Sequence, residues 1–184
     1  TTLLGADDKA GVAEIMAAVA YLAADDRPRA PARVVFTVDE EVGRGTDHLA
    51  VEQVGADLAY TLDGSGLGEI EVESFSAYQA KVTIAGVGVH PGSAKHRMVN
   101  AVKLAADLVC SLPRRDHSPE TTEGREGFVH PTRIVGHAAD AAVWFIVRDH
   151  DDARLEEHLD LLRGLVDDLR AREPRAQVTL ELEG

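Results

Sequence analysis

The sequence predicts an α/β fold in two parts, and three observations carry that prediction. Up to about residue 74, apolar runs and amphipathic stretches alternate as strand, helix, strand, helix, strand. Beyond it the order changes to β-α-β-β-α-β. A glycine-rich stretch, GSGLGEIEVES at 64–74, separates the two patterns. The first pattern indicates a mostly parallel sheet with helices against it, and the second the ferredoxin-like split βαβ arrangement. Residues 1–74 are therefore expected to form one domain and residues 75–184 another.

Each element has its own signature. Thr1–Leu4 is a short β-like run. From Asp8, the residues Val12, Ile15, Met16, Val19 and Leu22 recur at spacings of three and four, the mark of an amphipathic helix. DDRPRAP (25–31) breaks it. ARVVFTV (32–38) is continuous, apolar and β-branched, as in a strand buried on both faces. A short helix is expected around Asp47–Val54, then a third strand, DLAYTLDG (57–64). In the second part, SAYQAKVTIAG (76–86) is a strand with Tyr78, Ala80, Val82 and Ile84 on one face. A helix over Ala94–Leu112 and a polar loop, PRRDHSPETTEGREG, follow. FVHPTRIVGH and AAVWFIVRDH read as two strands, and Asp152–Arg172 as a long helix striped by leucines from Leu155 to Leu169. QVTLELE is the last strand.

Composition narrows the function. A hydrophobic content of 45% suffices for a real core. The net charge of -13 speaks against a nucleic-acid partner, which needs clustered Lys and Arg. It is compatible with cation binding, although most of it reads as a solvated surface. No apolar run approaches the ~20 residues of a membrane helix, and no signal peptide is recognisable. Cys110 is the only cysteine, so no internal disulfide can form, which fits a cytoplasmic protein. The chain opens on Thr1 inside a strand-like run and reads as an excerpt of a longer protein.

Acidic clusters follow each strand of the first part: Asp7 and Asp8, then Asp39, Glu40 and Glu41, then Asp63. In a parallel α/β sheet, ligands bind beyond the carboxyl ends of the strands. Carboxylates that converge there repel one another and are costly to desolvate, and a cation removes both penalties. In DEEVG one Glu can bind metal while its neighbour stays free to take a proton from water. Singly, each cluster has a plainer reading. Asp8 reads first as a helix N-cap, Asp47 as a cap of the second helix, and Asp63 before Gly64 as a turn residue. Three clusters at successive strand ends are harder to explain by caps and turns.

GADDKAG, FTVDEEVGRG, YTLDG, GVGVHPGSAK, MVNA, ETTEGREGF and RDHD, in this order, resemble the peptidase T family of tripeptide aminopeptidases. These are co-catalytic dizinc peptidases related to carboxypeptidase G and succinyl-diaminopimelate desuccinylase. The resemblance runs over essentially the whole chain. It implies that residues 1–74 are part of a zinc-binding catalytic domain and residues 75–184 a lid that also makes a homodimer contact. Two Zn²⁺ ions are implied, with Co²⁺ or Mn²⁺ as substitutes, and a short peptide as substrate. By resemblance Asp7 bridges the two metals, Glu41 ligates one and Asp63 the other, and Glu40 is the general base. His90 would reach a neighbouring subunit's active site and stabilise the oxyanion. Its plainer reading is a strand-end residue shaped by the Pro91–Gly92 turn. Asn100 would be a second polar lid contact, or else a helix residue facing solvent. Arg148 would hold the peptide's terminal carboxylate, or else form an ion pair with Asp149 or Asp151.

The family's upstream His-x-Asp motif and its last zinc-binding His are not in the sequence, so the chain alone is expected to bind zinc weakly and not to hydrolyse peptides. His96, His117, His130, His137 and His158 show no ligand spacing and are expected on the surface or in loops, with Cys110 as a small core residue. Two other functions remain open. One is a sibling carboxypeptidase or N-acyl-amino-acid deacylase, against which TTEGREGF argues. The other is a non-catalytic dimerisation or ligand-binding homologue, against which the intact DEE argues. A dimer could use an exposed sheet edge or the leucine-striped helix.

Overall fold

The computed structural model describes residues 5–64 and 66–184, and the chain divides into two compact units, one ending at Glu71 and the other beginning at Val72. In the first unit, helix α1 spans Lys9–Ala23. Asp8 caps it, its Oδ1 accepting the Gly11 N–H at 2.8 Å, so the plainer reading of that residue holds. A Cβ at Gly11 would collide with the Asp8 carboxylate and the Leu62 carbonyl, so the helix start lies tight against the 57–64 segment. Asp39, in the left-handed region at φ 60°, turns the chain into a 3₁₀ turn over Glu40–Val42. Helix α2 is a single turn, Val51–Val54, with Ala50 at its N-cap. Asp47 does not cap it; it pairs instead with Arg44 at 2.9 Å.

The predicted strand Thr1–Leu4 lies outside the described residues. The segments 32–38 and 57–64, also predicted as strands, carry no ladder hydrogen bonds. Their apolar side chains are exposed, Val38 at 77% and Tyr60 at 83% among them. An apolar run of this kind becomes a strand by pairing with neighbours on its edges and burying both faces. Neither condition is met among the described residues.

The second unit follows the predicted order. Strand β1 is Ser76–Ala85, helix α3 Ala101–Ser111, β2 Phe128–Gly136, β3 Asp140–Asp149, helix α4 Asp152–Arg172 and β4 Gln177–Glu183. The sheet is antiparallel in the order β2-β3-β1-β4, the ferredoxin-like arrangement. Ala80, Val82 and Ile84 of β1 face Phe145, Val143 and Ala141 of β3, and both helices cover this face. The leucine stripe of α4 is buried against it, so that helix is not free to dimerise. α3 begins at Ala101, later than expected, because Val99 is held extended in a bridge to Val87 and Asn100 then caps the helix. Its buried residues are Ala101, Ala105 and Leu108, a stripe spaced by four and three that leaves Cys110 exposed rather than in the core.

One buried polar pair interrupts the core. Asp149, at the end of β3 and 2% exposed, accepts a hydrogen bond from His158 Nε2 of α4 at 3.0 Å. It also accepts the Asp151 N–H at 2.9 Å. His158 is therefore a buried residue and not the surface residue expected. Burial pushes the Asp149 carboxyl up, but the Asp151 amide and His158 outweigh it and hold the group below the usual carboxylate range. A depressed carboxylate stabilises the fold above its unfolded pKa of about 3.9, and that contribution is lost as pH falls through the folded value. Asp149→Asn is accordingly expected to flatten the pH dependence of unfolding below about pH 4. Acid titrations of wild type and variant, followed by Trp144 fluorescence, check this; identical acid limbs would refute it.

Candidate functional site

Three segments of the first unit carry the acidic clusters to one place. Asp7 and Asp8 precede α1, Glu40 and Glu41 form the 3₁₀ turn, and Asp63 ends the 57–64 segment. All five side chains line a single cavity of about 430 Å³, together with Ala6, Ala10 and Gly64. Glu41 registers the crowding. Asp7 above all, then Glu40, some desolvation, a hydrogen bond shared with Asp7, and Asp63 hold its carboxyl above the usual range. Among the described residues no group of three or more His, Cys, Asp or Glu side chains is placed to hold a metal ion. The carboxylates share one cavity, and Glu41 and Asp7 approach closely enough to share a hydrogen bond. The donor set, all oxygen and strongly anionic, suits a divalent metal.

His90, Asn100 and Arg148 belong to the second unit. His90 begins the Pro91–Ser93 turn, and its Nδ1 accepts the Gly92 N–H at 3.1 Å. That bond assigns the ring proton to Nε2, leaving an exposed N–H donor. The Pro91–Gly92 turn and the donor thus coexist. Asn100 caps α3 through Oδ1, which accepts the Lys103 N–H at 3.2 Å. The cap uses the amide oxygen and leaves the NH₂ donors free.

A two-residue bridge between Val87 and Val99 closes the loop carrying His90. Arg175 donates to the His96 carbonyl and keeps that loop at the Ala85 end of β1.

Arg148 lies at the other end of the sheet, opposite Ala77 of β1. Its guanidinium sits between two rings, 4.4 Å from Phe75 and 4.6 Å from Phe128. The ion pair with Asp149 or Asp151 does not form: Asp149 is engaged by His158, and Asp151 caps α4 through the Ala153 and Arg154 amides. Sequence reasoning missed both aromatic walls, because Phe75 and Phe128 are distant in the chain and nothing in their spacing links them to Arg148.

Comparison with known proteins agrees with this layout. A family profile described as the peptidase dimerisation domain matches residues 72–173, and one described as M42 glutamyl aminopeptidase matches residues 5–109. Peptidase T of Ligilactobacillus salivarius is 46% identical over 184 residues, all of this chain and 44% of its own length. Peptidase T of Citrobacter koseri is 53% identical over 155 residues, 84% of this chain and 38% of its own. The crystal structure of aminopeptidase PepT from Bacillus cereus superposes with a TM-score of 0.83 at 25% identity, covering 100% of this chain and 49% of that one. The chain thus spans less than half the length of the curated relatives it matches. No helix among its described residues is long and apolar enough to cross a membrane. With similarity running from end to end and the matched domain covering the second unit as far as the end of α4, the chain belongs to the peptidase T family.

Proposed function

We propose that this chain supplies the metal-binding carboxylates and the lid of a zinc-dependent tripeptide aminopeptidase. The observation that carries the proposal is the single cavity receiving Asp7, Glu40, Glu41 and Asp63 from three separate segments. The end-to-end similarity to peptidase T of other bacteria supports it. Asp7, Glu41 and Asp63 would hold two zinc ions, whose Lewis acidity polarises the scissile carbonyl and acidifies water. Glu40 lines the same cavity and is left to take the proton of the attacking water and pass it to the leaving amine. His90 Nε2–H and the Asn100 amide donate to the developing oxyanion. Arg148 offers a planar pair of donors to the peptide's terminal carboxylate.

The second unit argues that two copies cooperate. Ala77, opposite Arg148, and Ala85, next to the His90 loop, are eight β residues apart. At about 3.3 Å each, that is ~26 Å. An extended tripeptide spans only about 10 Å. His90 and Arg148 of one chain would not reach the same tripeptide, whereas His90 from a second copy would meet Arg148 of the first. Of the two sheet edges, β2 exposes Ile134 at 52% and Val135 at 46%, while β4 presents Glu181 and Glu183. The β2 edge therefore suits strand-to-strand pairing of two copies. Ile134→Lys is expected to shift the chain from dimer to monomer in sedimentation velocity runs, and an unaltered dimer would exclude this edge.

The function is tested in a hybrid enzyme in which this chain replaces the matching segment of the Bacillus cereus aminopeptidase. Free-amine tripeptides should be cleaved, N-blocked amino acids should not, and chelation should abolish turnover. Preference for N-acyl amino acids would favour a deacylase instead. The chain by itself is expected to bind zinc weakly and to leave tripeptides intact; full activity from it alone would refute this assignment of roles.

A further inference from the structure

The buried pair Asp149–His158 has no part in the chemistry above, and its cost is not explained by the core. Removing a charge from water is unfavourable unless geometry repays it. What the pair touches gives it a purpose. A Cβ at Gly127 would collide with the Asp149 Oδ2 and with the Arg148 carbonyl, so the Gly127 backbone is packed directly on both. The next residue is Phe128, one of the two rings flanking the Arg148 guanidinium. On the other side, His117 stands edge-on to His158, ring centroids 5.2 Å apart, and its carbonyl accepts the Val129 N–H at 3.0 Å. The start of β2 is thus seated twice, by Asp149 under Gly127 and by His117 on His158.

We propose that the Asp149–His158 pair is a positioning element for Arg148: it seats Gly127 and the start of β2, and Phe128, the ladder partner of Arg148, forms one wall of the slot that holds the guanidinium. Arg148 is a long side chain with no ion-pair partner among the described residues. Two rings restrict it only while both walls stay in place. Gly127 is required because any side chain there would enter the carboxylate and the arginine's own carbonyl. This rests on the reading of Arg148 as the carboxylate-binding group only for its consequence, not for its geometry.

The test follows the Arg148 Nε–Hε resonance in the ¹⁵N-labelled 184-residue chain. In wild type and in His158→Gln, which keeps a donor toward Asp149, the heteronuclear NOE should report an ordered guanidinium. In His158→Leu and Asp149→Asn it should fall to the value of exposed arginines, while the Trp144 indole and the β1 and β3 amides keep their shifts. An Arg148 signal as ordered in both variants as in wild type overturns the proposal. Loss of the sheet amides in both variants overturns it equally, since the pair would then hold the domain and not the arginine. In the hybrid enzyme, His158→Leu should raise KM for a tripeptide about tenfold, the scale of one charge-assisted hydrogen bond. It should leave kcat, and both constants for the tripeptide amide, unchanged. Arg148→Ala in the same assay separates the two ideas. If it affects tripeptide and amide alike, the carboxylate reading fails while the NMR result stands on its own.

Discussion

Glu40→Gln lowers kcat on a tripeptide by about 10²–10⁴-fold in the hybrid enzyme, the range general-base catalysis contributes, with KM little changed. The expectation follows from the division of labour in the 3₁₀ turn. Glu40 and Glu41 are adjacent and line one cavity, and Asp7 above all raises the Glu41 carboxyl. In the proposed division of roles Glu41 binds the metal and Glu40 is left for proton transfer. Glutamine keeps the size of the side chain and removes its basicity, so the metal content of Glu40→Gln should match wild type. Glu41→Gln should instead bind metal more weakly. Steady-state kinetics with metal analysis on both variants decide the matter. Activity within tenfold of wild type for Glu40→Gln would remove it from the role of base.

Phe145→Ala destabilises the second unit by about 3–5 kcal/mol. Phe145 is 1% exposed at the centre of β3, facing Ala80 across the sheet and sealed by both helices. Its truncation loses the transfer free energy of the ring and leaves a cavity that a close-packed interior fills only partly. Trp144, the only tryptophan of the chain, is its neighbour on the opposite face of the sheet, so denaturant unfolding read by fluorescence reports this unit alone. A loss below 1 kcal/mol would mean that the core closes around the vacancy.

The second unit was legible in the sequence because its signals are local. The alternation of β1 and the spacing of the α4 leucines each fix a buried face without reference to distant residues. Cys110 was misplaced because the stripe of α3 runs through Ala105 and Leu108, and an apolar residue two positions on points elsewhere. His158 was misplaced because its partner, Asp149, lies on another element, and burial of a polar group depends on such a partner. The aromatic walls of Arg148 escaped for the same reason. In the first unit the acidic clusters were readable from their recurrence after apolar runs, and they do line one cavity. The runs themselves are not strands among the described residues, since strand formation depends on neighbours that a single segment's pattern does not contain.

The uncovered 32–38 segment has a colloidal consequence. Val34, Val35, Phe36 and Val38 are a β-branched and aromatic window with one charge, Arg33, and no internal proline. Such windows template intermolecular cross-β stacking when solvent reaches them. Preparations of this chain should thicken into thioflavin-positive aggregates on concentration, and a Val35→Lys gatekeeper should delay that onset without touching the β1–β4 sheet.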